Sequence, residues 1–559
     1  MDECNKDSSD SDTSDDDAVT VPGSFTTGGR RWLGSTGLIV RITRTHLVLS
    51  HPSCLWPSST AVALADICAV LTAAATDARA VLHCLEPVPG APAHPRTHTT
   101  HTVAAPTPAA LAHLLAALAP VPRRPCAPAS LRFLVLVSAA SGAHRALRVW
   151  RTDCAPLLAS AGAVCDVVCT THAGHARAAV AHAPCGRYRA VLAVGGDGVL
   201  CEALNGALAR RDWAAFLRRT ALVPVAAGTG NALAHSWYRS ADAAGAVCHA
   251  LRGRRAACDA FLCVLPRTRQ HVWGALGVGF GVLADADLGS EPLRALGPLR
   301  WALWGTAEIA LHRNRAACTL AYLPSRDHPV DLDHRPTGVC GRNCPQCSVH
   351  DEAEEEENSD DGCCVDDEEG TIDEEWNKNL PQGQPPQQGQ EQGQHFTAAL
   401  VDDRKEDLDE NGIPKMYAPL FKDVPSFYRP DAAASAAGGG PPGWVVSETV
   451  LSFCAINSTP WISRDNMVTP LAHRCDGSLD VCLGTAAHFS RLGYAQAFAR
   501  IAHGTHVDCA CMHDYAKVRA LAIVPRAAAG LMGVDGERIP HGPIAVYVAH
   551  ALFHTLLYD

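Results

Sequence analysis

The stretch RAVLAVGGDG, residues 189–198, decides the fold, because a short apolar run ends there in a glycine-rich turn. A continuous apolar run of this length is expected of a strand that is buried on both faces. After the turn, apolar residues recur at helical spacing, at Val199, Leu200, Ala203, Leu204, Ala207 and Leu208. The stretch therefore predicts a buried strand, a tight loop and an amphipathic helix.

The same rhythm extends to both sides of this stretch. Short apolar runs predict further strands at Phe133–Val137, Val164–Cys169 and Ala221–Val225, with helices at Ala146–Ala161 and His175–Ala183. The last of these strands ends in a second glycine-rich loop, AAGTGN, residues 226–231. Strands that alternate with helices predict an α/β domain with a doubly wound, mostly parallel sheet.

Composition divides the rest of the chain. We expect residues 1–30 to be an acidic disordered tail and residues 31–126 to be an accessory region and linker. Strands near 38–50 are followed there by an Ala-rich helical stretch, and residues 87–108, rich in Pro, His and Thr, predict a linker. The α/β domain spans residues 127–275. Strand and turn signals at 276–325 and 443–559 predict a C-terminal β-sandwich. Residues 326–442, acidic and then rich in Gln, Pro and Gly, predict a long disordered insertion.

Charge is distributed unevenly along the 559 residues, whose formal net charge is −11. Residues 1–17 carry eight acids and one Lys, and residues 351–376 carry fifteen acids and no Lys or Arg, which leaves +11 on the remainder. A basic body suits phosphates or an anionic membrane surface. Its cations are not clustered among aromatic residues, which argues against a nucleic-acid partner.

The N-terminus and the hydropathy indicate the compartment. The first residues are acidic and polar, unlike a signal peptide, and no apolar run reaches the ~18 residues of a transmembrane helix. We therefore expect a cytoplasmic chain that associates with membranes peripherally. The 24 cysteines are then reduced thiols.

Asp197 is unusual within its glycine-rich loop. Glycines let the backbone approach a phosphate, and the first amides of the following helix point toward it. A carboxylate would repel that anion, unless it binds a metal or takes a proton from an attacking hydroxyl. The alternative is that Asp197 only caps its helix. Two such loops at neighbouring strand ends favour a ligand site at the carboxyl edge of the sheet.

Together with further motifs, these loops resemble the catalytic domain shared by diacylglycerol kinases and sphingosine kinases. The resemblance rests on GGDG at 195–198 with Glu202 and Asn205-Gly206, and on GTGNALA at 228–234. ADADLGSE at 284–291 and VDGE at 534–537 are similar to sphingosine kinase segments. The similar segments cover about 131–325 and 444–559, in the family's order.

This resemblance implies a lipid kinase that uses ATP and Mg²⁺, with a sphingoid base as its lipid substrate. Asp197 would be the general base for the primary hydroxyl. Asp287 and Gly277 would lie at the lipid head group. The nucleotide would contact Thr170, Gly195, Gly196, Gly198, Glu202, Ala227, Gly228, Thr229, Arg294, Arg300, Asp535, Gly536 and Glu537.

Some positions depart from the family's pattern. The first phosphate loop, residues 138–145, lacks two cations that the family has, which predicts weak ATP binding. Gly277 stands where the family has Ser. If residues 284–291 are extended, Asp285 and Asp287 point to one face and flank a cationic amine.

Two segments have open interpretations. Cys340, Cys344, Cys347 and the nearby Cys363, Cys364 and His350 could bind zinc, although their spacing is irregular. Trp301–Arg315 could dock a calmodulin-like partner or a membrane, or it could be a packed helix.

The motifs favour a kinase that makes sphingosine 1-phosphate from sphingosine, and that also accepts sphinganine. One alternative is a ceramide or diacylglycerol kinase, which the acidic residues around Asp287 disfavour. Another is a weakly active pseudokinase that binds lipid as a scaffold, which the altered first loop favours.

Overall fold

A computed structural model describes residues 131–138, 145–239, 242–290, 316–325, 442–512 and 514–558, and the elements of residues 19–112. It also describes single residues 293 and 330 and short stretches at 303–304, 306–307, 344, 346–347, 408–409 and 413–421. The chain forms two units. Unit 1 comprises Met1–Glu86 and His98–Cys126, and unit 2 comprises Pro87–Thr97 and Ala127–Asp559.

Unit 1 is a β-sheet. Its strands are β1 Val19–Thr27, β2 Arg30–Arg31, β3 Leu38–Ile42, β4 His46–Ser50, β5 Ser59–Ala63, β6 Ile67–Thr72, β7 Arg79–Glu86 and β8 Thr97–Ala104. They pair in the order β5-β4-β3-β1-β8-β7-β6, and β2 pairs with β1. Strands β3, β4 and β5 form an antiparallel meander.

The sheet of unit 1 corrects three predictions. Strand β1 lies within the predicted disordered tail, β8 lies within the predicted linker, and the Ala-rich stretch after residue 50 forms strands rather than a helix. Each of these segments contains several β-branched residues, which favour strands, and pairing with neighbouring strands outweighs the local composition.

The α/β part of unit 2 has a four-stranded parallel sheet, in the order β10-β9-β11-β12. Its strands are β9 Arg132–Ser138, β10 Val164–Thr170, β11 Ala190–Gly195 and β12 Ala221–Ala226. Its helices are α1 Arg145–Val149, α2 Ala155–Ser160, α3 His175–His182, α4 Asp197–Leu208, α5 Trp213–Arg219, α6 Ala232–Tyr238 and α7 Ala243–Arg252; a π-helical turn, Trp150–Cys154, joins α1 to α2. The predicted parallel α/β domain is confirmed.

The C-terminal part of unit 2 is rich in antiparallel strands. The strands are β13 Arg254–Leu265, β14 Gln270–Gly274, β15 Gly277–Phe280, β16 Ala316–Pro324, β17 Val445–Asn457, β18 Trp461–Ser463, β19 Asn466–Met467, β20 Leu479–Thr485, β21 Asp514–Pro525, β22 Met532–Val534, β23 Glu537–Arg538 and β24 Ile544–Leu557. Helices α8 Val282–Leu288 and α9 Arg491–Arg500 lie between strands, as do short 3₁₀ turns at Ala486–His488, Ile501–His503 and Thr505–Asp508.

The predicted β-rich domain is confirmed, but ten of its twelve described strands form one hydrogen-bonded network rather than two separate sheets, and β18 pairs with β19 alone. Ten strands pair in the order β14-β13-β24-β21-β16-β17-β15-β22-β23, with β20 bridging β17 and β21. Strands β17 and β21 are long, and each pairs with β16 along one half and with β20 along the other. Their buried side chains share one apolar core.

Side chains and backbone fix the two parts of unit 2 to each other. Asn205 of α4 donates through Nδ2 to the Trp273 carbonyl at 2.8 Å, and its Oδ1 accepts from the Trp273 amide at 3.0 Å. The Tyr238 hydroxyl lies 2.8 Å from the Thr555 hydroxyl on β24. These contacts fix α4 and α6 of the α/β part to strands β14 and β24 of the β-rich part.

One segment of the predicted disordered insertion is folded, which corrects that prediction. Lys415–Phe421 forms a 3₁₀ helix in which Tyr417 and Phe421 are buried. The Tyr417 hydroxyl donates to the Leu208 carbonyl at 2.6 Å, and its ring meets that of Trp273 edge-on at 5.1 Å. Two aromatic side chains thus anchor the segment to unit 2.

Candidate active site

The two glycine-rich loops contact each other through their backbones. The amides of Ala227 and Gly228 donate to the Gly195 carbonyl at 2.9 and 3.0 Å. A Cβ on Gly228 would lie 2.5 Å from the Cα of Gly196, so only glycine fits at this approach. The predicted pairing of the loops at one edge of the sheet is confirmed.

Asp197 connects the first glycine-rich loop to α6, the helix that follows the second glycine-rich loop. Its Oδ2 accepts from the Ala232 amide at 2.9 Å and its Oδ1 accepts from the Leu233 amide at 3.0 Å, at the N-terminus of α6. Burial raises the pKa of Asp197, and these backbone hydrogen bonds oppose the shift. The Asp197 carboxylate therefore caps α6. This partner could not be predicted from the sequence, because α6 begins 35 residues after Asp197.

Glu202 has a similar role one helix turn further along α4. Its Oε2 accepts from the amides of Ala176 and Arg177 at 3.1 and 3.4 Å, at the N-terminus of α3. The side chain is buried, and burial raises its pKa. Contact with a nucleotide stays a prediction for Glu202, because the structure shows its carboxylate bonded to α3.

Asp535 organises the turn before β15. Its carboxylate accepts from the amides of Ala275, Leu276 and Gly277 at 2.7 to 2.9 Å. Burial raises its pKa to about 6, against the effect of these hydrogen bonds. A Cβ on Gly277 would lie 2.0 Å from the Asn457 side chain, so the Ser that the family has here would not fit this backbone. Gly277 is buried, and its contact with the lipid head group stays a prediction.

Two further carboxylates lie beside the glycines of these motifs. Glu537 Oε1 lies 2.9 Å from where a Cβ on Gly198 would be. Asp287 Oδ2 lies 3.4 Å from where a Cβ on Gly536 would be, and Gly536 has φ +82°. The structure therefore brings Asp287 to the VDGE turn, and the VDGE turn to the GGDG loop.

The acidic segment is helical, which corrects the expectation of an extended chain. Val282–Leu288 forms α8, in which Val282 and Ala284 are buried. Residues two apart on a helix do not share a face, so Asp285 and Asp287 do not flank one group in the way expected. Alternating Ala and Asp have no strand propensity to oppose the helix.

Of the remaining predicted site residues, some lie near the glycine-rich loops and others lie outside the described part of the chain. Thr170 ends β10 beside Ser138 of β9, at the same carboxyl edge of the sheet as Gly195. Thr229 follows Gly228 in the second loop. Arg294, Arg300 and residues 139–144 of the first loop lie outside the described residues, as does most of Trp301–Arg315. Among the described residues, no helix is long and apolar enough to cross a membrane.

Sequence reasoning missed the role of Asn231. This residue has φ 52°, in the left-handed region, and its side chain bonds both the amide and the carbonyl of Gly228 at 2.9 Å. Asn is among the non-glycine residues that most often adopt this conformation, so the GTGN sequence contained a usable signal.

The sequence of this chain is similar to those of known lipid kinases. Residues 132–263 match the diacylglycerol kinase catalytic domain. Sphingosine kinase 1 of Homo sapiens is 34% identical over 213 residues, 36% of this chain and 53% of that protein. Sphingosine kinase 2 of Homo sapiens is 26% identical over 476 residues, 76% of this chain and 71% of that protein.

Other similarities are shorter or more distant. Sphingoid long chain base kinase 4 of Schizosaccharomyces pombe is 30% identical over 172 residues, 31% of this chain and 37% of that protein. A diacylglycerol kinase structure from Bacillus anthracis superposes with a TM-score of 0.41 at 14% identity, over 77% of this chain and 98% of that chain. The chain thus spans between about a third and three quarters of the length of these curated relatives. Residues 132–263 thus match the diacylglycerol kinase catalytic domain, and the predicted resemblance of the chain to the sphingosine kinase family is confirmed.

Proposed function

We propose that the protein transfers the γ-phosphate of ATP to the primary hydroxyl of a sphingoid base, such as sphingosine or sphinganine. The observation that carries this proposal is the convergence of three motifs. The GGDG loop contacts the GTGN loop, and Glu537 of the β-rich part reaches Gly198. Phosphoryl transfer depends on positioning and charge neutralisation, and such a junction can position two substrates.

The nucleotide phosphates would lie over the two glycine-rich loops. Backbone amides near the start of α4, together with its helix dipole, suit an anion. Glycine at positions 195, 196, 198 and 228 would let the backbone approach the phosphates closely, and Ala227 and Thr229 would complete the second loop. Thr170 lies at the same edge of the sheet.

Magnesium fits the oxygen ligands at this junction. Glu537 and Asp287 present carboxylates beside the glycines of the two motifs, and carboxylate oxygens are ligands that Mg²⁺ accepts. These two residues would hold the ion, which would neutralise charge on the ATP phosphates.

Asp197 would accept the proton of the lipid hydroxyl. Each oxygen of the carboxylate accepts from one amide of α6, and a carboxylate oxygen can accept a second hydrogen bond, which the lipid hydroxyl would donate. Burial raises its pKa, which makes it a better base than an exposed Asp. Its bonds to α6 also fix its position relative to the GTGN loop.

The alkyl chain would enter the apolar cluster beside α8. Val282 and Leu283 at the start of α8 pack in this cluster with side chains from β17, β20 and α9, among them Phe453, Cys482, Tyr494 and Phe498, and with Val468 after β19. Asp287 lies at the other end of the same helix. A ligand with an apolar chain and a cationic head matches this order of apolar and acidic groups, whereas a ceramide or diacylglycerol head group is neutral.

A purified-protein assay with γ-labelled ATP and a panel of sphingosine, ceramide and diacylglycerol tests the proposal. We expect label in sphingosine and little in the two neutral lipids. Label chiefly in ceramide or diacylglycerol would favour the alternative kinase activity. Lipid binding without transfer would favour the scaffold, for which the altered first loop is the supporting observation.

A further inference from the structure

Two cysteines of the insertion lie far in sequence from a histidine that they meet in the fold. Cys344 and Cys347 are buried, and so is His473, which follows β19. One ligand atom from each of the three lies within 4.8 Å of the other two. The sequence pattern showed the Cys-x2-Cys pair but not its partner, which lies more than a hundred residues further along the chain.

The distances suit a tetrahedral metal. Cys344 Sγ lies 3.4 Å from His473 Nδ1. Zinc bonds of ~2.3 Å to sulfur and ~2.0 Å to nitrogen separate two such ligands by about 3.5 Å at a tetrahedral angle. Cys344 and Cys347 form a tight turn, with the Cys347 amide donating to the Cys344 carbonyl at 2.9 Å. This turn and spacing are typical of a pair of zinc ligands.

A candidate fourth ligand packs against the two cysteines. Cys475 is fully buried and packs with Cys344, Cys347 and Ala257. Three thiolates and one imidazole form a recognised structural zinc set, and soft sulfur ligands favour zinc over Mg²⁺ or Ca²⁺.

A neighbouring group of possible metal ligands is accounted for by hydrogen bonds. Asp259, Cys475 and His550 also come within 4.8 Å of one another. However, Asp259 accepts from the amides of Asp476, Gly477 and Ala551 and from His550 Nδ1, at 2.6 to 2.9 Å. Four hydrogen bonds explain this carboxylate without a metal, so the group around Cys344 is the better metal site.

The chain that bears His473 and Cys475 is held firmly in place. The Asp259 amide donates to the Arg474 carbonyl at 2.9 Å, and the Asp259 carboxylate accepts from the amides of Asp476 and Gly477. The carboxylate of Asp476 pairs with the buried Lys517 ammonium at 2.7 Å. Such support preorganises ligands, as metal sites require.

We propose that Cys344, Cys347, His473 and Cys475 bind one structural zinc ion, which fastens the start of the insertion to the β-rich part. The thiols bind as thiolates, so metal binding releases their protons. This inference does not depend on the proposed kinase activity.

The test is the metal content of the full chain, purified without chelators and measured by mass spectrometry of the metal. We expect about one zinc per chain. The double variant Cys344→Ser, Cys347→Ser should contain only background zinc. A matched control, Cys509→Ser with Cys511→Ser, removes another pair of buried neighbouring cysteines and should keep the wild-type metal content.

Cobalt replacement keeps the proposal testable if the double variant does not fold. The Co²⁺ form of the wild-type chain should show the intense visible bands of a tetrahedral site, with charge-transfer absorption from thiolates. His473→Cys should retain the metal and increase that charge-transfer absorption, whereas Cys475→Ser should decrease it. A wild-type chain that has no zinc as purified and takes up neither metal, or a double variant with full zinc content, would overturn the proposal in favour of a simple thiol–imidazole contact.

Discussion

Asp197 is expected to serve both chemistry and structure. Asp197→Asn keeps the size of the side chain but leaves one acceptor oxygen for the two amides of α6. We expect kcat to fall by ~100-fold or more because the base is lost, and the free energy of unfolding to fall by about 1–2 kcal/mol because the cap is weakened. Steady-state kinetics and chemical denaturation measure the two effects.

Asp242 offers a matched control for that variant. It caps α7 by accepting from the amides of Ala244 and Gly245 at 3.2 and 3.1 Å. Asp242→Asn should cost a similar free energy of unfolding while kcat stays near the wild-type value. Equal kcat losses in both variants would mean that Asp197 acts only through the fold.

Asp535 predicts a pH dependence of stability. Its pKa is raised from 3.8 to about 6, so the folded state binds this proton more tightly than the unfolded state does. Its contribution to the free energy of unfolding is therefore greatest below about pH 4 and is lost as the pH rises to about 6, by on the order of 3 kcal/mol.

The variant Asp535→Asn isolates this effect, because its side chain does not titrate. Its free energy of unfolding relative to the wild type should rise between pH 4 and pH 6 and stay level above that. Denaturant titrations at several pH values give the difference. A difference that is constant across this range would place the pKa of Asp535 near its ordinary value.

At the scale of elements, helix α8 places Asp287 where it would contact both the amine of the sphingoid base and the Mg²⁺ ion. Asp287→Ala should raise the KM for sphingosine by ~10-fold or more, since it removes a charge-assisted interaction of about 1.5–3 kcal/mol. Its proximity to Gly536 adds a second expectation, a weaker dependence of the rate on Mg²⁺. Titrations of lipid and of Mg²⁺ on one preparation separate the two roles. Asp285→Ala, on a different face of α8, is the control, and equal effects of both variants would argue for general electrostatics.

The folded segment Lys415–Phe421 should contribute more to the free energy of unfolding than the acidic and Gln-rich part of the insertion does. Tyr417→Ala removes a buried ring and a hydrogen bond to Leu208, so the free energy of unfolding should fall by about 3–5 kcal/mol. Deleting residues 351–400 should change it little, because loop-closure entropy varies slowly with length. Thermal unfolding of the two variants gives the comparison, and a deletion as costly as Tyr417→Ala would contradict it.

Elements with a clear local hydrophobic pattern were predictable from the sequence. Elements that depend on contacts with distant residues were not. The continuous apolar run Phe133–Val137 identified β9, and the helical spacing after Gly198 identified α4. Tyr417 is buried because Trp273 lies opposite, and no local pattern predicts that pair. Likewise the GGDG loop was predictable as a site, whereas the bonds from Asp197 to α6 depend on a helix that starts 35 residues later.

At the scale of the whole molecule, the acidic segments set the sign of the charge. Removing residues 1–17 and 351–376 would change the formal net charge from −11 to +11. The shortened chain should bind phosphatidylserine vesicles more strongly than the intact chain at low ionic strength, and this gain should disappear as salt screens the charges. Co-sedimentation measures both, with neutral phosphatidylcholine vesicles as the control. Equal binding of the two chains at low salt would show that the acidic segments do not oppose the membrane.

The pairing of β13 with β24 joins sequence from both sides of the insertion, along almost the full length of each strand. Strands β16 and β17, which flank the insertion, also pair directly. A polypeptide ending after Cys347 and a second one beginning before Leu408 would each contribute strands to the same sheet. We therefore expect the protein to assemble from two co-expressed fragments, which makes this interval suitable for a split-protein reporter or for new chain termini.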